Sequence, residues 1–119
     1  MAKIKHSFSC PIGETLGMIA GRWKPEILWH LKGETMRFNQ LQRAIGGVSQ
    51  KMLTQQLREL QRDGLVIRTQ YEEIPPRVEY NLTELADSLK PLFDSIVNWS
   101  HKHTDAIHEA RFKYDQRNK

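Results

Sequence analysis

Residues 49–64, SQKMLTQQLRELQRDG, decide the fold. Ser49 suits a helix N-cap, because its hydroxyl accepts one of the amide hydrogens that a first turn leaves unpaired. Asp63-Gly64 marks the other end, since glycine adopts the left-handed conformation that closes a helix without a Cβ penalty. Between these signals Leu53, Leu57 and Leu60 recur at spacings of four and three, so one face is apolar. At ~100° per residue, Lys51, Thr54, Gln55, Arg58 and Arg62 fall on the opposite face, with Glu59 and Asp63 to one side. A helix that enters a major groove presents cations to phosphates, and amides and guanidinium groups to base edges. This helix alone also fits an ordinary solvated surface. Its neighbours decide.

Upstream, Asn39 is placed to cap a short helix over 40–45 with Leu41, Ala44 and Ile45 inward, and Gly46-Gly47-Val48 makes a tight turn. A short helix, a turn of three to four residues containing glycine and a longer helix form a helix-turn-helix. Downstream, residues 65–71 (LVIRTQY) and 77–82 (RVEYNL) alternate apolar and polar residues around a turn carrying Pro75-Pro76. They read as a β-hairpin. A helix-turn-helix followed by a hairpin is a winged helix, so the fold class is mainly α with a small β wing.

The remaining stretches fit around this centre. Residues 12–20 predict a helix with Leu16, Ile19 and Ala20 inward, ended by Gly21. Pro25 suits the first turn of a second helix, with Ile27, Leu28 and Leu31 inward and Trp23 and Trp29 bracing the core. Residues 36–38 are long enough only for an edge strand. Thr83 caps the last helical region, in which Leu85, Leu89, Leu92, Ile96 and Trp99 continue at helical spacing and Pro91 kinks or restarts the helix. That stripe is long for a domain whose earlier helices already supply a core, so it asks for a partner.

Size and charge set bounds. At 119 residues the chain is one domain, and its net charge of +4 is spread thinly enough that a basic surface must come from placement. No stretch approaches the ~18 apolar residues of a membrane span, no signal-peptide apolar region is present, and one cysteine fits a reducing cytosol. The expected localisation is therefore cytoplasmic, without a membrane partner. There is no glycine-rich phosphate loop, no HExxH, no Ser/His/Asp arrangement and no paired carboxylates on one face. No enzyme, cofactor or metal site is expected. His101, His103 and His108 do not complete a ligand set, because 103 points away from the face shared by 101 and 108.

The order of motifs resembles the HxlR-type winged-helix regulators, relatives of the MarR group. The resemblance runs through Cys10-Pro11, Gly21-Arg22-Trp23-Lys24, Ile27-Leu28, Arg37-Phe38-Asn39-Gln40-Leu41 and Ser49. It continues with Leu53-Thr54, Leu57-Arg58-Glu59-Leu60, Asp63-Gly64-Leu65-Val66, Arg68, Pro76-Arg77-Val78-Glu79-Tyr80, Leu82-Thr83, Leu89, Pro91 and Trp99. Ala86 stands where that family usually has glycine, and Lys24-Pro25 also departs from its pattern. The domain so outlined spans 10–108, with a recognition helix at 49–63, a wing at 65–82 and C-terminal dimerisation helices at 83–108. A flexible arm at 1–9 and a basic tail at 109–119 flank it.

The resemblance implies a homodimeric, sequence-specific regulator of transcription, by default a repressor, whose N- and C-terminal helices form the dimer interface. Its operator would be a pseudo-palindrome of double-stranded DNA. The residues expected to contact DNA are Ser49, Gln50, Lys51, Thr54, Gln55 and Arg58 in the groove, with Arg62 and, beside the wing tip, Arg77. Arg68 fits a bracing ion pair equally well, and Glu72-Glu73 make the wing tip acidic. Dimerisation falls to Leu85, Leu89, Leu92, Ile96 and Trp99. Cys10 precedes a helix N-terminus, where the dipole favours the thiolate. Several HxlR-type regulators use a cysteine at this place to sense oxidants or electrophiles, which implies redox or effector sensing by Cys10. A lone cysteine also fits a small buried hydrophobe. The alternative function is a winged-helix module that binds protein or RNA without recognising an operator.

Overall fold

The computed structural model describes residues 10–118, so the expected N-terminal arm at 1–9 lies outside the described residues. The chain divides into two compact units, one ending at Asp87 and one beginning at Ser88.

The first unit begins with three helices: α1 (Pro11–Ile19), α2 (Lys24–Leu31) and, after the two-residue strand β1 (Met36–Arg37), α3 (Phe38–Ile45). Next come α4 (Gln50–Arg62), β2 (Val66–Tyr71), β3 (Arg77–Leu82) and the four-residue α5 (Glu84–Asp87). The strands form one antiparallel sheet in the order β1-β3-β2, with Met36 opposite Tyr80 and Val66 opposite Leu82. This is a winged helix-turn-helix, as the residue pattern predicts.

The core centres on the leucine face of α4. Leu53, Leu57 and Leu60 are fully buried, together with Ile27 and Leu31 of α2 and Leu41 of α3. Gly46 and Gly47 both take positive φ, 73° and 76°, so the α3–α4 turn uses two consecutive left-handed residues that only glycine adopts cheaply. Gln42 closes this turn by donating to the Val48 carbonyl at 3.1 Å. At the far end of the sheet, Thr83 Oγ1 accepts from the Ala86 amide at 3.1 Å and donates to the Gly64 carbonyl at 2.6 Å. One hydroxyl therefore caps α5 and ties it to the end of α4.

Several expectations are corrected. Leu16 of α1 and Ala20, its C-cap, are exposed, and of that helix only Ile19 is buried. Ala44 is also exposed, because the covered arc of α3 is centred on Leu41. Trp29 does not brace the core: it is 62% exposed, with the Lys32 ammonium 5.0 Å from its ring centre. The buried positions of α2 are 24, 27, 28 and 31, and at ~100° per residue Trp29 points away from their common direction. Trp23 is half-buried, with the Arg22 guanidinium 4.7 Å from its ring. Asn39 is not a cap, since α3 starts earlier, where Gln40 Oε1 accepts the Arg37 amide at 2.9 Å.

The second unit is α6 (Lys90–Arg117), 28 residues long, with Pro91 in its first turn and none of its residues buried. Pro91 restarts the helix, as one branch of the expectation had it. The apolar stripe is therefore not one helix: Leu85 belongs to α5, Leu89 is the N-cap of α6, and Leu92, Ile96 and Trp99 are on α6. Residues 109–117, read as part of a tail, continue the helix. No helix among the described residues is long and apolar enough to cross a membrane.

Candidate nucleic-acid interface

α4 is positioned from inside by its leucines and from its end by Ser49, whose Oγ accepts the Met52 amide at 3.0 Å. With that face buried, Gln50, Lys51, Gln55 and Arg58 are exposed, Arg62 is exposed one turn on, and Thr54 is half-buried. The Thr54 hydroxyl donates to the Gln50 carbonyl at 2.8 Å, so its proton is committed to its own helix. Gln50, Lys51, Thr54, Gln55, Arg58 and Glu59 together line one open concavity of about 670 Å³. Five of the expected groove residues are thus brought together, and Ser49 adjoins them in sequence as the cap.

Glu59 is the unexpected member. The helical angle placed it to one side, yet its carboxylate faces the same concavity. Lys24, at the start of α2 and with a side chain only 9% exposed, reaches Glu59 Oε1 at 2.8 Å. Gln55 Nε2 donates to Glu59 Oε2 at 3.4 Å. The hydrogen bond and charge of Lys24 hold the Glu59 carboxyl below the usual carboxylate range, outweighing the opposing effect of burial, with lesser help from Gln55 and Arg62. Glu59 therefore stays ionised, and its negative charge is offset by the Lys24 ammonium.

The two arginines of the wing strands have different surroundings. Arg77 lies 3.9 Å from the ring centre of Tyr71 and pairs with Glu73 at 3.1 Å and Glu79 at 3.8 Å. Its Nε is buried without a hydrogen-bond partner among the described residues. Arg68 is the more exposed cation, with only a long contact of 3.4 Å to Gln70 Oε1. At the tip, Glu72, Glu73 and the fully exposed Ile74 face solvent.

Cys10 is exposed at the N-cap position of α1, and its side chain makes no cap hydrogen bond. Leu85, Leu92, Ile96 and Trp99 are exposed and Leu89 is half-buried. His103 stacks on Trp99 with ring centres 4.7 Å apart and places Nδ1 2.9 Å from the Trp99 carbonyl. Among the described residues no three histidine, cysteine or carboxylate side chains converge as metal ligands.

A family model described as HxlR-like helix-turn-helix matches residues 18–108. The chain belongs to the HxlR family. Over 98 residues it is 43% identical to the HTH-type transcriptional regulator YdeP of Bacillus subtilis, a match covering 82% of this chain and 77% of that one. Among solved structures it is similar to the redox regulator HypR in its reduced form, with a TM-score of 0.78, 38% identity, and coverage of 84% of this chain and 99% of that one. The reduced form of the transcriptional regulator YodB from B. subtilis aligns with a TM-score of 0.71 and 31% identity, covering 78% and 92%. As an HxlR member the chain is a transcriptional regulator with a helix-turn-helix DNA-binding fold, and the family consists of regulators rather than enzymes. Cys10 precedes the matched segment.

Proposed function

We propose that this HxlR protein is a cytoplasmic homodimer that binds a pseudo-palindromic operator in double-stranded DNA and represses transcription. The observation that carries this reading is the face of α4. Gln50, Lys51, Gln55 and Arg58 are exposed together, and the one acidic neighbour, Glu59, is tied to Lys24. Two such helices enter successive major grooves about one turn, ~34 Å, apart. Lys51 and Arg58 meet phosphates or guanine edges, and Gln50 and Gln55 meet adenine. A dimer sitting on a promoter blocks polymerase by occupancy alone.

The second copy joins through α6. A 28-residue helix with no buried residue draws little stability from propensity and takes it from an apolar face that something covers. Leu92, Ile96 and Trp99 supply that face, after Leu89 at the helix N-cap. Cys10 serves as the sensor, supported by its exposure and by the likeness to structures described as redox regulators. Its sulfur adds to a quinone-type electrophile, or exchanges with a disulfide, forming a mixed disulfide and releasing the other thiolate.

Fluorescence anisotropy on duplex DNA from upstream of the gene, against scrambled duplex over a salt series, tests the DNA reading. Specific binding about 10³-fold or more above non-specific binding is expected. Equal, weak and salt-labile binding to both duplexes, repeated with promoter duplexes from the rest of the genome, would refute operator recognition.

A further inference from the structure

The task of Glu59 rests on the reading of α4 as the DNA-contacting helix. Its two oxygens serve two donors: Oε1 takes the Lys24 ammonium at 2.8 Å and Oε2 takes Gln55 Nε2 at 3.4 Å. Lys24 is buried, whereas Gln55 is exposed among the groups that face DNA. An unrestrained glutamine is an ambiguous reader of bases, because half a turn about its last bond exchanges a carbonyl for an amino group.

We infer that the Lys24–Glu59 pair is a positioning device that holds the Gln55 amide in one orientation, and so makes α4 prefer adenine over guanine at one base pair of each half-site. With Nε2 turned to Glu59, Gln55 keeps one N–H and its Oε1 for the groove. That pair matches N7 and the N6 amino group of adenine, while guanine offers acceptors at both N7 and O6. Only a carboxylate presents acceptors to both neighbours. Glutamine at position 59 has one acceptor and one amino group, and buried Lys24, a donor only, claims the acceptor. The Glu59→Gln amino group then faces Gln55 and draws its Oε1 inward. Both Gln55 N–H groups turn outward, and two donors suit guanine.

The test is selection by the full chain from duplexes randomised over about two helical turns, ~20 bp, followed by sequencing. Wild type should enrich a motif containing one adenine position per half-site that Gln55→Ala erases, with adenine favoured over guanine there by about tenfold or more. Glu59→Gln should reverse that preference. The double variant Lys24→Met/Glu59→Gln removes the buried ammonium, guards against a misfolded single variant, and frees the new amide to turn, so its ratio should fall toward one. Circular dichroism confirms that each variant is folded. The inference is overturned if both variants keep the wild-type ratio within about twofold, or if Gln55→Ala leaves every position unchanged. Failure of wild type to enrich any motif overturns the DNA reading itself, which distinguishes the two.

Discussion

Replacing Lys51 and Arg77 separately by alanine, and following operator affinity over salt, separates the helix from the wing. Lys51 is exposed on the groove face and has no acidic partner among the described residues. If each Lys51 displaces one counterion from a phosphate, a dimer loses about 1.8 from the slope of log affinity against log salt, at ~0.9 per contact. Between ~50 and ~200 mM salt, that slope change corresponds to about twelvefold in affinity. The variant should therefore bind markedly worse at low salt, and the gap from wild type should close as salt rises. Arg77 already sits on Tyr71 and between Glu73 and Glu79, so its charge is largely answered within the wing. Its removal should change the slope by less than ~0.5. Anisotropy titrations at five or more salt concentrations resolve the difference. An Arg77→Ala slope change equal to that of Lys51→Ala would refute the assignment of roles.

Three other perturbations have definite outcomes. Leu57→Ala removes a side chain that is 1% exposed at the centre of the α4 face, and should cost about 2–5 kcal/mol in urea denaturation; a loss below ~1 kcal/mol would contradict the core as described. Because the Glu59 carboxyl is held low in the folded chain by Lys24, its contribution is fully present above the ordinary carboxylate pKa and is lost as pH falls through the folded value. The urea midpoint of wild type should therefore approach that of Glu59→Gln between neutral and acid pH, and a gap independent of pH would refute the linkage. Ile96→Asp should convert the dimer to monomer in sedimentation, and an unchanged sedimentation coefficient would remove α6 from the interface.

Local signals were the legible part of the chain. Ser49 and Thr83 cap as their side chains predict, and the strands at 66–71 and 77–82 follow their alternation. Periodicity located the apolar faces but not what covers them. Leu16, Ala20 and Trp29 look like core residues by side-chain type alone, and each is exposed. The apolar spacing also ran unbroken from Leu85 to Trp99 across a helix boundary, because a 3–4 repeat does not record where one helix stops and the next starts. For the site, the groove face was legible from one helix. The Lys24–Glu59 pair was not, since it joins residues 35 apart whose meeting depends on how α2 lies against α4. The pairing of Arg77 with Glu73 and Glu79 was not legible either, since it depends on how the wing strands fold back on one another.

The two faces of α4 have consequences for redesign. Its leucines hold the scaffold, while Gln50, Lys51 and Arg58 touch nothing in the core, so their identities can be exchanged to address a new operator at little cost in stability. Position 55 is different. Its neighbour Glu59 answers to a buried lysine on another helix, so if Glu59 orients Gln55, the base pair met there depends on positions 24 and 59 as well as 55. A library that varies only the exposed helix face would change position 55 without the Lys24–Glu59 pair that orients it.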